Sequence, residues 1–450
     1  MADYDVILIG GSTAGSYFAR RMAEQGLSVL LLEKASRETV SPAYDIFHMG
    51  ADEMEHFGLP PVQEGDGCFA FTFSENETRS SYGNYPKPSH DRVVGLHKRA
   101  YIQRMNDWAV EAGAELLYEA EFLTFLYGGD GKICGVRYRR NGEECERTCR
   151  LAVDCSGIPA VGRRSLPDSY GVEKFELTPD DLFFVVLRYV KFHAEKIGWA
   201  SWIFYKTWFA PAGDGADGIL GVGANFGFDY AEKIFGIFSR NVKLPAYDVV
   251  RTERGATPYH RTVYSFVGDG FLALGDAASL TKPFNGEGCT ATMVLCDIAA
   301  DVAGSVLKSG AAPTRAALWP INKRYNDGQG KDFAAMLALL TRVVRHSAAA
   351  NEFFFRHDVV FSQKVLGGFA DGMKFTAADV CKTVLFIAVG ICSGKVKPGE
   401  IGQIFAGALN AGRLLFHYRD YPETPAGFEA WVKKADALWA KAGKMSDWKV

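Results

Sequence analysis

The first 33 residues constrain the fold more than any other stretch. Asp5 to Ile9 is a continuous apolar run, and Ser28 to Leu32 is a second one that ends at Glu33. Between them, Ser16 to Gln25 has helical periodicity and stops at Gly26. Continuous apolar strands are what a parallel sheet covered on both faces needs. The turn from first strand to helix reads Gly10-Gly11-Ser12-Thr13-Ala14-Gly15. Small residues there let the backbone approach a pyrophosphate, and the helix start supplies N–H groups and a partial positive charge. Glu33, eighteen residues after Gly15 and followed by Lys34, suits ribose hydroxyls. The turn departs from G-x-G-x-x-G at its middle glycine, which is Ser12. Gly11 beside it is the candidate to share that role.

A second constellation stands near residue 280. Phe271 to Leu274 reads as a short buried strand, followed by Gly275-Asp276 and then Pro283-Phe284-Asn285-Gly286-Glu287-Gly288 at the start of a long apolar helix. An Asp just after a buried strand can hold a polyol hydroxyl or organise phosphate-binding N–H groups. Two bare helix starts suggest one long cofactor: NAD needs only the first, whereas FAD needs a second site near its ribityl chain and ring.

Elsewhere the chain alternates. A helix is expected from about 98 to 111. Paired strands are expected at 121–127 and 133–139, and another at 148–154 leading into Cys155-Ser156-Gly157. Stretches at 182–190, 199–209 and 219–226 read as an antiparallel sheet, and beyond Gly304 the chain reads as mostly helical. Phe is abundant, with 32 residues beside 19 Tyr and 8 Trp, in clusters such as 69–73, 183–184 and 353–355. Such clusters serve either an aromatic core or a wide pocket for a large apolar ligand.

Net charge is −3, so nothing in the balance points to nucleic acid. Nine cysteines lack a Cys-x-x-Cys pair, which argues against zinc and for reduced thiols in the cytoplasm. The chain enters a strand at once, so no signal peptide is expected. The longest apolar run, about 383 to 392, is too short for the roughly 20 residues of a membrane span. It leaves room for a surface-docking segment, hence for a peripheral position at the inner face of the membrane.

The glycine turn with Glu33, Arg99 at a helix start, Asp154-Cys155-Ser156-Gly157 and Gly275-Asp276 occur in an order that resembles FAD-dependent oxidoreductases of the p-hydroxybenzoate-hydroxylase superfamily. "GDAAS" paired with "PFNGEG", and "WFAP" at Trp208 to Pro211, resemble the geranylgeranyl reductase branch. The likeness covers roughly residues 4 to 307. It implies an α/β architecture: a Rossmann-like FAD-binding domain (1–75, 96–169 and 266–330), an interleaved antiparallel-sheet substrate domain (76–95 and 170–265), and a helical C-terminal region (331–450).

By position, the resemblance assigns Gly10, Gly11, Ser12, Thr13, Ala14, Gly15, Glu33 and Lys34 to the ADP part of FAD, and Arg99 to its phosphates. Gly157, Gly275 and Asp276 fall to the pyrophosphate and ribityl region. Gly286, Glu287 and Gly288 would face the flavin ring. Phe184, Trp202, Phe204, Trp208, Phe209, Pro211 and Phe284 are expected to line the substrate pocket. Some archaeal members carry a cysteine shortly after the second strand. Here that position falls near Asp45, and no cysteine stands between Gly10 and Cys68. Tyr44, Asp45 and His48 are the titratable candidates for a catalytic role.

Two departures sort the implied reactions. Hydroxylases of the superfamily carry Asp-Gly where this chain has Ser156-Gly157, and halogenases carry Trp-x-Trp-x-Ile-Pro, which is absent. The expected activity is therefore FAD-dependent reduction of carbon–carbon double bonds in a polyprenyl or other large apolar substrate. The alternatives are an aromatic hydroxylase and a flavin-binding, lipid-handling protein without redox turnover. The chain holds no second dinucleotide fingerprint, so NADPH, ferredoxin and other electron donors all stay open.

Overall fold

The computed structural model describes residues 2–41, 46–203, 206–213, 215–283, 286–343, 347–362 and 377–443. The two apolar runs become neighbouring parallel strands, Tyr4–Ile9 and Val29–Leu32, with the glycine-turn helix Thr13–Ala23 crossing between them. On the other side of the first strand lie Glu143–Asp154 and then Phe271–Ala273, both parallel to it. Glu115–Leu117 closes the far edge beside Val29–Leu32. The strand interiors are almost wholly buried, from Val6 through Ile9 and from Val29 through Leu32. Two-sided burial explains why these segments show no polar alternation.

Register fixes the important geometry. Ile9 pairs with Leu32 and with Asp154, and Asp154 pairs with Ala273. The turns at 10–15, 33–35, 155–157 and 275–276 therefore leave one sheet at one carboxyl edge. Ligands of open α/β sheets bind in that position.

A second, seven-stranded sheet runs in the order Tyr247–Pro258, Leu182–Phe192, Gly218–Ala224, Lys206–Ala210, Ala200–Ile203, Asn76–Arg79 and Lys87–Ser89. It is antiparallel apart from the pairing of Ala200–Ile203 with Asn76–Arg79. Two elements of this region escape a sequence reading. One is the amphipathic helix Phe228–Val242, and the other is the long strand Tyr247–Pro258. The helix covers one face of the sheet and packs Ile234, Phe235 and Phe238 on Val186, Val190, Trp202, Phe209 and Val222. Burying each such side chain is worth roughly 1.5–3 kcal/mol, which makes this face a core. A small third sheet, Ile46–Gly50, Val93–His97 and Phe69–Phe73, bridges toward the opposite face.

The C-terminal region is helical in its described parts. Trp319 Nε1 donates to the Pro422 carbonyl at 2.8 Å, and Tyr421 Oη donates to the Tyr264 carbonyl at 2.8 Å. These bonds tie the last helices to the nucleotide-side body.

Candidate functional site

The glycine turn fits close backbone contact. Gly10 has φ +105°, and a Cβ there would press on the Cys155 carbonyl; a Cβ on Gly15 would overlap the Gly10 carbonyl. Only glycine satisfies both. No side chain caps the helix start at Ser12, so its N–H groups are left for a ligand. Thr13 and Ala14 begin that helix and reach the second constellation. Thr13 Oγ1 lies 3.8 Å from Cys289 Sγ, and Ala14 closes on Gly275. The two helix starts thus converge at one place.

Glu33 is buried. Its Oε2 accepts from the Gly11 N–H at 2.7 Å and its Oε1 from the Ala35 N–H at 2.7 Å. Each oxygen keeps a lone pair for a ribose hydroxyl. Gly11 thereby takes a defined part in the turn despite Ser12. The third turn is set by Asp154, whose carboxylate accepts from the Ser156 N–H at 2.9 Å and the Arg163 N–H at 2.6 Å. Gly157 follows with φ +76°. Arg163, overlooked in the sequence, donates 2.7 Å to the Ala277 carbonyl and locks this turn to the Gly275 turn.

Asp276 projects into the same space. Burial pushes its carboxyl up to about 6, partly offset by Lys98 and by a hydrogen bond from Thr281. Lys98 is drawn down by burial, and its favourable neighbours are Cys289, Asp276 and Glu253. Arg99 is exposed, as is Lys34. One residue of helical rotation therefore turns Lys98 toward Asp276 and leaves Arg99 at the surface.

At the second turn, the Glu287 carboxylate accepts from the Thr290 N–H and hydroxyl, each at 2.7 Å, and so caps the helix Cys289–Lys308. Gly286 and Gly288 flank it. A Cβ on Gly286 would meet Lys206 Nζ at 2.6 Å. Lys206 is largely surrounded by protein and keeps partial exposure. Burial lowers its ammonium to about 8, with Glu287 partly opposing. Its Nζ lies 5.6 Å from the Trp208 ring centre. Nothing in the sequence set this lysine apart within an aromatic strand.

Strand alternation decides which aromatics share the face of Lys206. Trp208 shares the face of Lys206 and joins Phe183, Tyr259, Ile46, Phe71 and Ala212 in one apolar cluster. Phe183 and Tyr259 stack at 4.9 Å, and Tyr259 Oη donates to the Pro283 carbonyl. Phe184, Trp202 and Phe209 correct the expected pocket, because all three point to the helix-covered face. Their ring partners are Phe228 at 5.2 Å, Phe238 at 5.0 Å and Phe192 at 5.5 Å respectively. Pro211 follows Trp208 into the cleft-side loop. Its carbonyl accepts from the His48 ring.

His48 lies against Phe71 and Phe73, at 5.5 and 5.9 Å between ring centres. Burial lowers it to about 4, so the ring is neutral at physiological pH, and its Nε2 has no hydrogen-bond partner among the described residues. Tyr44, Asp45, Phe204 and Phe284 lie outside the described residues.

The residues fit FAD. The backbone cradle at Gly10 and Gly15, the buried Glu33, the uncapped helix start and Asp276 stand together at one carboxyl edge of the parallel sheet. The family described as FAD binding domain matches residues 3–203. Among curated proteins, digeranylgeranylglycerophospholipid reductase 2 of Methanopyrus kandleri is 28% identical over 74% of this chain and 83% of its own length. The digeranylgeranylglycerophospholipid reductase of Methanocella arvoryzae is 24% identical over 70% and 81%. That of Sulfolobus acidocaldarius is 21% identical over 98% of each chain.

Among solved structures, a geranylgeranyl bacteriochlorophyll reductase-like protein from Thermoplasma acidophilum superposes with a TM-score of 0.70 at 15% identity, over 85% of this chain and 95% of that one. The flavin-dependent brominase Bmp2 shares the fold at a TM-score of 0.58 and 17% identity, over 97% and 100%. Fold, cofactor site and relatives agree: the chain is an FAD-dependent oxidoreductase similar to digeranylgeranylglycerophospholipid reductases.

Proposed function

We propose that the protein reduces carbon–carbon double bonds of a prenyl lipid, with the reacting bond held between the Gly286–Gly288 turn and the apolar wall of Phe183, Trp208 and Tyr259. The observation that carries this reading is Lys206. Its Nζ meets the second glycine turn at Gly286, and it stands on the same strand face as the aromatic wall. Reduced FAD, when bound, supplies a hydride from its N5.

The chain's own residues do the rest. Phe183, Trp208 and Tyr259 give the isoprenoid a dry surface, where burial of its methylenes supplies binding at about 0.8 kcal/mol each. Lys206, with its ammonium lowered toward neutrality, holds a proton at Nζ that it can yield to the carbon opposite the hydride. His48 is tied to Pro211 and uncharged, so it shapes the wall without carrying a proton outward.

The relatives' names place their substrates among digeranylgeranyl glycerophospholipids, and we assign this chain the same substrate class. The test is anaerobic. The protein with photoreduced FAD is mixed with a digeranylgeranyl glycerophospholipid, and flavin absorbance is followed as a function of pH. Reoxidation is expected, falling above about pH 8 as Lys206 deprotonates. Lys206→Met should keep its flavin and lose at least about tenfold in rate, together with that pH limb. Flavin that stays reduced with every prenyl lipid contradicts the proposal.

A second reading rests on the same lysine. A lysine beside the second glycine turn, on a fold shared with a brominase, suits halogenation, although the Trp-x-Trp-x-Ile-Pro pattern is absent. Oxygen consumption that depends on bromide or chloride, in place of anaerobic reoxidation by a prenyl lipid, would favour it.

A further inference from the structure

Two helices near the C-terminus present apolar side chains to the outside. The first, Ala377–Cys392, turns Phe386 and Ile387 inward. Its outer surface carries Val384, Leu385, Val389 and Ile391, with Leu385 61% exposed. The second, Pro398–Arg419, turns Ile401 and Ile404 inward. Its outer surface carries Phe405, Leu409 and Phe416, 64%, 54% and 57% exposed. At positions i, i+4 and i+11 these three form one stripe along the helix. Isolated exposed apolar residues need no explanation, but seven on two consecutive helices do.

The charge around them leans positive. From 377 to 420, which spans both helices and the residue that ends the second, the chain has five cations, Lys382, Lys395, Lys397, Arg413 and Arg419, and three carboxylates, Asp379, Glu400 and Asp420. That segment carries a net charge of +2, in a chain whose net charge is −3. Glu400 is buried and accepts from the Ser347 and Lys397 N–H groups, each at 2.7 Å, so it does not face outward. Lys382 shares Asp358 at 3.4 Å. Arg419 lies 5.4 Å over the Phe416 ring, at the end of the stripe. An apolar stripe fringed by cations is the composition of helices that lie in the interface of an anionic bilayer.

The placement fits a lipid substrate. The small core under both helices includes Phe353, Phe354, Val396 and Ile401, and Ile203 of the seven-stranded sheet packs against it. Asn351 Nδ2 donates to Ser81 Oγ at 3.2 Å, and Ser81 Oγ donates to the Ile203 carbonyl at 2.6 Å. The helix pair is thus mounted on the strand that leads into Lys206 and Trp208.

We infer that the outer faces of Ala377–Cys392 and Pro398–Arg419 dock on an anionic lipid surface. The inference stands on surface chemistry and is separate from the reaction assigned above. It is tested with the FAD-loaded full chain by co-sedimentation with vesicles of phosphatidylcholine alone or mixed with phosphatidylglycerol. The protein should pellet with the mixed vesicles and stay in solution with the neutral ones, and added salt should release it.

Lys395→Glu with Arg413→Glu should cut the partition by at least about tenfold. Phe405→Ser with Leu409→Ser, both exposed and so neutral to folding, should abolish it with flavin content unchanged. A wild-type chain that ignores anionic vesicles overturns the inference, whatever its reactivity toward soluble prenyl substrates. So does a Phe405→Ser, Leu409→Ser variant that binds vesicles normally but changes from dimer to monomer by light scattering, which would make this face a self-interface.

Discussion

Asp276 shows the cost of the site most plainly. Its carboxyl titrates near 6 in the folded protein against 3.8 for an ordinary aspartate, with burial as the main cause. The folded state therefore binds the proton more tightly than the unfolded state. That group's contribution to stability is complete below about pH 4 and is lost as pH rises through about 6. Above that, the charged carboxylate costs up to about 3 kcal/mol. Flavin-free Asp276→Asn should then unfold at higher urea than flavin-free wild type at pH 7.5, with the gap closing near pH 4. The same variant should retain FAD less well. Equal urea midpoints at pH 7.5 would show that the carboxylate carries no such cost.

The residue scale also marks where the sequence misled. Lys98 and Arg99 are adjacent cations at a helix start, and only the helix rotation determines which one turns inward. Lys206 carries no mark in the sequence, because its significance lies in Gly286, eighty residues away.

At the scale of elements, the glycine turns were legible because their chemistry is local: positive φ, small side chains and a following helix leave a signature within six residues. The aromatic strands were not. Period-two alternation shows that Trp208 and Phe209 face opposite ways, but only the helix Phe228–Val242 determines which side is closed. That helix was hidden because its apolar residues continued the aromatic content of the strands before it. The cleft wall depends on this sheet in a testable way. A Cβ on Gly221 would overlap the Trp208 ring, and one on Gly223 the Phe183 ring. Gly221→Val should displace Trp208 at a cost of about 1–3 kcal/mol in stability. FAD content should hold, while the KM for a prenyl lipid rises by about tenfold or more. An unchanged KM would remove Trp208 from the substrate wall.

For the molecule as a whole, the order of motifs along 300 residues specified a doubly covered parallel sheet with all its binding turns at one edge. The register from Ile9 through Leu32, Asp154 and Ala273 puts them there. The C-terminal helices left no comparable signature, since amphipathic periodicity gives a helix its buried face but not its partner. They complete the molecule by packing on the nucleotide side through Tyr421 and on the substrate sheet beneath Ile203.

The central claim is that the cleft before Gly286–Gly288 reduces prenyl double bonds. The most direct measurement is the mass of a digeranylgeranyl glycerophospholipid after anaerobic turnover with photoreduced enzyme. Each turnover should add two hydrogen atoms to the lipid and return one oxidised flavin. A lipid recovered at its starting mass, or one that gains oxygen or halogen once air is admitted, would contradict the account.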